Sequence, residues 1–380
     1  LKWIISLLIM TALLASCESP LQAPAKESND EQSSEDELDG NKQDSQGSSV
    51  DENKSNDTTS TQLLDQPKTV VDQLESPWDI VKNGEEFYIT ERAGTIVHFD
   101  GESAERQSLQ LEREVASGQG EEGLLGMVLD PDDEEKAYIY HTYQTADGLF
   151  NRIVAIELDD RKWKETGVLV DEIPGGRIHD GGRLAIGPNG YLFATTGDAG
   201  NDQLSQDTDS LAGKILRMNL DGSIPDDQPF KGSLVYSYGH RNPQGLTWNE
   251  NGELYSSEHG SSAYDEINHI EPGNNYGWPV IRGDETEKNM KAPTIHSGEE
   301  TWAPSGSAFD DSGNLLVTGL AGQSLYRFDV ESGNEEVLLE NHGRLRDILV
   351  ANGEIYVLTN NTDGRGNPDE SDDLLLKIAE

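Results

Sequence analysis

LAIGPNGYLFATTG (184–197) reads as a complete β-hairpin. An apolar run leads into Gly-Pro-Asn-Gly, residues that set or tolerate turn backbone, and an apolar-aromatic run leads out to Thr and Gly. The pattern returns in DIVKNGEEFYITE (79–91), MVLDPDDEEKAYIYHT (127–142), LTWNENGELYSSE (246–258), SAFDDSGNLLVTG (307–319) and ILVANGEIYVLTN (348–360). The turns sit at Gly84, near Glu134, and at Gly190, Gly252, Gly313 and Gly353. They lie about 40 to 60 residues apart, the length of one four-stranded propeller blade with its loops. Further period-2 strands follow: GTIVHFD (94–100), NRIVAIEL (151–158), KILRMNL (214–220), SLYRFDV (324–330), LLLKIAE (374–380) and a shorter DEINHIEPG (265–273). The expectation is an all-β, six-bladed β-propeller with four-stranded antiparallel blades over residues 67–380. A strand around Lys68–Glu75 should pair with Leu374–Ala379 to close the ring. A pair of β-sandwiches is the competing architecture, and it does not require six near-equivalent hairpins. Long helical periodicity is absent, and the 39 glycines suit tight turns better than helix bundles.

Residues 1–66 do not share the pattern. Lys2 precedes an apolar run from Trp3 to Ala15, shorter than the roughly 20 residues a spanning helix needs but of the size of an export signal. Leu14-Ala15-Ser16-Cys17 resembles the bacterial lipoprotein cleavage box, and Cys17 is the only cysteine. The expectation is a signal peptide over 1–16 and a mature chain lipid-anchored through Cys17 to the outer face of the cytoplasmic membrane. A secretory signal with an incidental cysteine is the alternative. Residues 17–66 read as a disordered acidic linker, since 18–66 hold 13 Asp plus Glu against three Lys and no aromatic residue. Over the whole chain 28 Lys plus Arg stand against 72 Asp plus Glu, a formal net charge of −44. Nucleic acid is excluded as a partner, because phosphates require a basic stripe. One cysteine excludes an internal disulfide and Cys-based zinc.

On a propeller, function collects in the loops between strands. Gly175-Gly176-Arg177-Ile178-His179-Asp180-Gly181-Gly182-Arg183 places an imidazole at a strand mouth, where it can serve as a base near neutral pH. Asp198, in Thr195-Thr196-Gly197-Asp198-Ala199-Gly200, lies one strand away and can hold that ring by its other nitrogen. Ser237-Tyr238-Gly239-His240-Arg241-Asn242-Pro243 offers a guanidinium fork between strands. The segment from Ser256 to Pro279 is rich in carboxylates, amides and backbone carbonyls, which suits Ca²⁺, although no EF-hand spacing is present. Arg344 and Arg346 alternate along a strand and should face one way, a geometry for a polycarboxylate. Taken singly, each fits an ordinary turn, an acidic surface loop or charge balancing.

Their order on the repeat resembles the soluble quinoprotein glucose/sorbosone dehydrogenase family, and especially its aldose sugar dehydrogenase branch. The segments that carry the resemblance are GEEGLLGMVLDP (120–131), HDGGRLAIGPNGYLFATTGDAG (179–200), GHRNPQGL (239–246), SSEHG…DEINHI…GNNYGWP (256–279), APSGSAFD (303–310) and GRLRDI (343–348). The resemblance implies a six-bladed propeller binding pyrroloquinoline quinone (PQQ) with Ca²⁺ and oxidising the C1 hydroxyl of aldoses to lactones. It implies His179 as catalytic base, Asp198 as the carboxylate that orients it, and Arg241 with Asn242 on the quinone oxygens. Arg344 and Arg346 would hold PQQ carboxylates, and Glu121 stands where sugar meets cofactor. Backbone carbonyls of Gly260 and Ser261 would ligate the PQQ-bound Ca²⁺, and Glu266, Tyr276 and Asp284 a second, structural Ca²⁺. Electrons would pass to a cytochrome or quinone.

The chain departs from some glucose dehydrogenases of the family. Glu121 replaces Gln, LAGQS (320–324) stands where a PQQ-contacting Lys would be, and His259 and Ser261 replace Gln and Pro. Two other readings stay open. A Ca²⁺-dependent lactonase propeller would not need GRLRD or GHRN, and a non-catalytic lipoprotein binding sugar or wall polymer would not need the His/Asp/Arg set.

Overall fold

The computed structural model describes residues 66–378 apart from Gln119, so the expected export signal, Cys17 and nearly all of the expected linker lie outside the described residues. The hairpin turns form for a local reason. In three copies the chain bends through the same pair of backbone bonds. Gly187, Asn249 and Asp310 each donate N–H to the carbonyl four residues on, and accept from Gly190, Gly252 and Gly313. Those three glycines have φ of +77°, +78° and +84°, the left-handed region that side chains disfavour.

The strands make five sheets among the described residues, four of four strands and one of eight. Leu184–Ile186, Leu192–Thr196, Lys214–Met218 and Val235–Tyr238 form one antiparallel sheet. Pro243–Trp248, Leu254–Glu258, Glu266–Ile270 and Ile295–His296 form the next, and Pro304–Phe309, Leu315–Gly319, Ser324–Phe328 and Glu335–Glu340 the third. The fourth joins the two chain ends: Lys68–Val71 pairs with Leu375–Ile378, beside Glu354–Thr359 and Leu345–Ala351. The expected closing strand therefore forms, and is shorter than expected.

The eight-stranded sheet differs from the expectation of separate blades. It consists of two antiparallel runs, Pro77–Asn83 to Ala104–Gln110 and Leu124–Asp130 to Lys162–Pro174. Their outer strands pair in parallel, Ser108–Gln110 against Lys162–Lys164. Trp163 explains the fusion: it is fully buried, and its indole N–H donates to Gln107 at 2.8 Å.

The first strands of the successive runs touch in a closed circuit, from Pro77–Asn83 through Leu124, Leu184, Pro243, Pro304 and Leu345 back to Pro77. The apolar core is divided accordingly. Six clusters lie between neighbouring runs, such as Ile80, Phe87, Tyr356 and Leu358 at the closure.

The middle of the circuit is polar. Arg183, 5% exposed, reaches Asp79 Oδ1 at 2.5 Å, Asp347 Oδ1 at 3.0 Å and the Gln244 carbonyl at 2.8 Å. Its guanidinium stacks 4.3 Å over Trp78. The two carboxylates in turn accept from the backbone of Met127 and Ile80. Replacing Arg183 by Met leaves two buried carboxylates facing each other, and should cost about 3–5 kcal/mol of unfolding free energy. Adding Asp79→Asn should recover part of that loss. Denaturant unfolding monitored by tryptophan fluorescence checks both, and an unaltered midpoint for Arg183→Met would remove the clamp from the account.

Candidate active site

His179 stands in the loop that leads into Leu184–Ile186, with φ at +61°. That backbone is held from both sides. Glu121 Oε2 accepts its N–H at 2.9 Å, and its carbonyl accepts from Ala199 at 3.1 Å. Gly197 must be glycine here, because a Cβ would fall 1.9 Å from the His179 carbonyl oxygen.

Asp198 follows that glycine and is 1% exposed. Its Oδ1 lies 2.7 Å from His179 Nδ1 and accepts from the Gly200 N–H at 2.8 Å, while Oδ2 accepts from the Trp278 indole at 2.9 Å. Burial pushes the carboxyl up, but hydrogen bonding and charge from His179, then the Gly200 and Trp278 donors, hold it below the usual carboxylate range. An ionised Asp198 places the proton of a neutral imidazole on Nδ1. Nε2 is then a free acceptor, with no hydrogen-bond partner among the described residues.

Arg241 and Asn242 sit at the mouth of the next sheet and join the same network. The Arg241 carbonyl accepts from Asp198 N at 2.8 Å. Its side chain bonds the His259 and Gly260 carbonyls at 3.2 and 2.5 Å and lies 5.3 Å over the Trp278 ring. Asn242 accepts from Gly181 at 3.1 Å and donates to Glu121 Oε2 at 3.0 Å. Glu121 thus ties three loops together, and Arg365 lies 3.6 Å from its other oxygen. Burial opposes its charge, but its interactions with His259 and His179, the His179 N–H and Arg365 hold its pKa below the usual carboxylate range.

The two arginines of GRLRD do not form one exposed pair. Arg344 precedes the strand and is neutralised by Asp363, at 3.0 and 3.1 Å. Arg346 is 4% exposed and meets only neutral partners, Gln244 at 2.8 Å, Ser305 at 3.3 Å and the amide of Asn360. Burial pulls its pKa down to about 9. Among the described residues it is a buried cation without a carboxylate partner.

The expected calcium ligands are dispersed. The Gly260 carbonyl faces Arg241, and its N–H donates to Asp265 at 2.8 Å. Neighbouring Ser261 is half-buried. The Tyr276 hydroxyl is turned to residues 269–271, at 2.6 and 2.7 Å. Asp284 is 97% exposed and paired with His296, so its carboxylate points to solvent and not to Glu266. Glu266 is buried and accepts from Asn268 and Gly283. No group of three or more acidic, His or Cys side chains fit to hold a metal occurs among the described residues.

Several participants escaped the sequence reading. Burial pushes the pKa of His259 down to about 4. Asp180 anchors the His179 loop through Asn151 and Gly176, at 2.8 and 2.9 Å, and burial raises it to about 7. Trp278 lay inside a quoted motif, but nothing in that motif pointed to Asp198.

The chain matches the Glucose / Sorbosone dehydrogenase family model over residues 74–376 and belongs to that family. It is 31% identical over 348 residues to aldose sugar dehydrogenase YliI of Escherichia coli K12, covering 81% of this chain and 91% of that one. It is 35% identical over 251 residues to quinoprotein glucose dehydrogenase B of Acinetobacter calcoaceticus, covering 57% of this chain and 52%, about half, of that relative's length. The PQQ-bound aldose sugar dehydrogenase of Streptomyces coelicolor superposes with a TM-score of 0.75 at 38% identity, over 82% of this chain and 96% of that one.

Glu266 supplies a pH test. Burial, then the Glu258 charge, raises its pKa to about 8 from an ordinary 4.5. The folded chain therefore keeps a proton that the unfolded chain has lost, and stability should fall as pH rises from about 4.5 to 8. In EDTA, Glu266→Gln should flatten that slope by one proton's worth. Urea midpoints across the range measure it, and an equal slope in the variant contradicts the assignment.

Proposed function

We propose that this chain is an exported, PQQ- and Ca²⁺-dependent dehydrogenase that oxidises the C1 hydroxyl of aldoses to lactones on a six-bladed propeller. In this reading the eight-stranded sheet is two blades fused at their outer strands. The observation that carries the reading is the His179–Asp198 pair, with Nε2 open, set beside buried guanidiniums that lack full partners.

The donor set suits the cofactor. PQQ is a tricarboxylate, and Arg346 is a buried cation with only neutral contacts. Arg241 Nε, Arg92 Nε and His259 Nε2 are buried without hydrogen-bond partners, and such groups are costly unless a ligand meets them. Arg241, Asn242, Arg344 and Arg346 would hold PQQ, and the Gly260 and Ser261 carbonyls its Ca²⁺. Arg344 would contribute less, because Asp363 already neutralises it. At the second cation position, Asn268 Oδ1 is buried and unpartnered beside Glu266. That suits an oxygen-seeking cation, although Asp284 as placed does not contribute.

Bound PQQ supplies the two-electron acceptor for the C1 hydride. The chain's residues do the rest. Nε2 of His179 takes the hydroxyl proton, and Asp198 offsets the imidazolium that forms. Glu121 holds the His179 backbone and the Asn242 amide. Arg241 supplies positive charge where oxygen becomes electron-rich. A cytochrome or quinone partner would carry the electrons away, and the Cys17 lipid would keep the enzyme on the outer face of the membrane.

Protein incubated with PQQ and Ca²⁺ should reduce a dye when given aldoses. His179→Ala should lower the rate by at least ~10²-fold while PQQ uptake, followed by absorbance titration, is kept. Turnover near wild type in that variant refutes the base assignment. For the anchor, globomycin should cause the unprocessed precursor to accumulate in the native host, and normal processing in its presence would reject it.

A further inference from the structure

We propose that Trp278 is a positioning residue for the acid–base pair: its indole N–H fixes the Asp198 carboxylate so that Oδ1 holds Nδ1 of His179 and Nε2 stays free. The kinetic part of this inference rests on the dehydrogenase reading. The geometric part does not.

The Asp198 carboxylate has a soft torsion, because rotation about the bond to a planar carboxyl is broad and two-fold. Two of its three hydrogen bonds, from His179 Nδ1 and Gly200 N, fall on Oδ1. Both come from one side and leave the plane free to swing. Only the Trp278 indole, at 2.9 Å, engages Oδ2 among the described residues. It comes from a loop 80 residues further along the chain, so local backbone structure does not dictate the contact.

Trp278 is itself held firmly. Its backbone N–H donates to the Gly239 carbonyl at 2.9 Å, and its carbonyl accepts from Gln206 Nε2 at 2.6 Å. Gln206 also exchanges bonds with Asn275, at 3.0 and 2.7 Å. Gly277 lets the loop pass close to Ile281, since a Cβ there would meet its side chain at 2.1 Å. A half-buried tryptophan next to exposed Val280 contributes little as core. Its two specific contacts, Asp198 and the face of Arg241, both belong to the site.

Trp278→Phe keeps the ring and removes the donor. An exchange to β-(3-benzothienyl)alanine at 278 replaces only N–H by sulfur, and serves if the Phe variant does not fold. The first measurement needs no cofactor. Long-range ¹H–¹⁵N spectra of the wild-type protein should show neutral His179 protonated on Nδ1, and either variant should gain the Nε2-protonated tautomer. An unchanged tautomer ratio overturns the proposal. The second uses PQQ-loaded enzyme. Trp278→Phe should lower kcat about 10-fold, with KM and PQQ uptake unchanged. In an Asp198→Asn background the same change should cost less than about 2-fold, because the two act as a unit. A full additive loss there would mean that Trp278 acts elsewhere, and likewise overturns it. Wild-type protein that oxidises no aldose would defeat the dehydrogenase reading and leave the tautomer measurement as the test of the brace.

Discussion

One guanidinium holds the middle of this fold. Arg183 binds Asp79, Asp347 and the Gln244 carbonyl and covers Trp78, so a single side chain joins runs that are far apart in sequence. The apolar clusters glue neighbours, but none of them spans the ring. Asp79 and Asp347 crowd each other. Burial drives the Asp79 carboxyl well above its ordinary range even though Arg183 pulls it down, which is the expected state of two acids sharing one cation. The arrangement is costly to desolvate and more costly to break, and it fixes which strands face inward. The site depends on it directly, because His179 lies four residues before Arg183. The loop between them is stretched from the clamp to Asp180, which is tied to Asn151 and Gly176.

Charge is distributed unevenly for a reason. The chain is strongly acidic, yet its interior near the site collects Arg92, Arg241 and Arg346. Burial lowers the pKa of all three guanidiniums. Buried like charges are costly unless a counter-charge meets them. Glu121 is one such counter-charge. It is a carboxylate whose Oε2 accepts from both the His179 and Asn242 donors and whose charge offsets the arginines.

Much of this was legible because it is local. The hairpins followed from alternation and turn glycines, and ring closure followed from one unpaired strand at each chain end. The His179–Asp198 contact follows from hairpin register. Leu184 opposes Ala194, so the residues just before one strand must meet those just after its partner. The misses are non-local. The parallel join of 108–110 to 162–164 was hidden because AERQSLQ is polar and reads as loop, and its stabilising element, Trp163, lies in the next run. Alternation could not show that Arg344 stands just before the strand and is neutralised by Asp363, a residue 19 positions further on. Asp284, which the family resemblance implied as a calcium ligand, is exposed and pairs with His296.

The same locality explains why the site sits where it does. At one end the hairpins close in tight four-residue turns. At the other end each strand pair opens into longer segments, and those must satisfy their own polar backbone. They do so by bonding to one another: His259 N to Asn242 O beyond the ends of one hairpin, and Asp198 N to Arg241 O and Glu121 N to Arg177 O between loops. A loop end that satisfies its backbone this way is rigid without being apolar. Its side chains are then free to carry buried charge, and an acid–base pair can be aimed at a ligand without first being ordered by it.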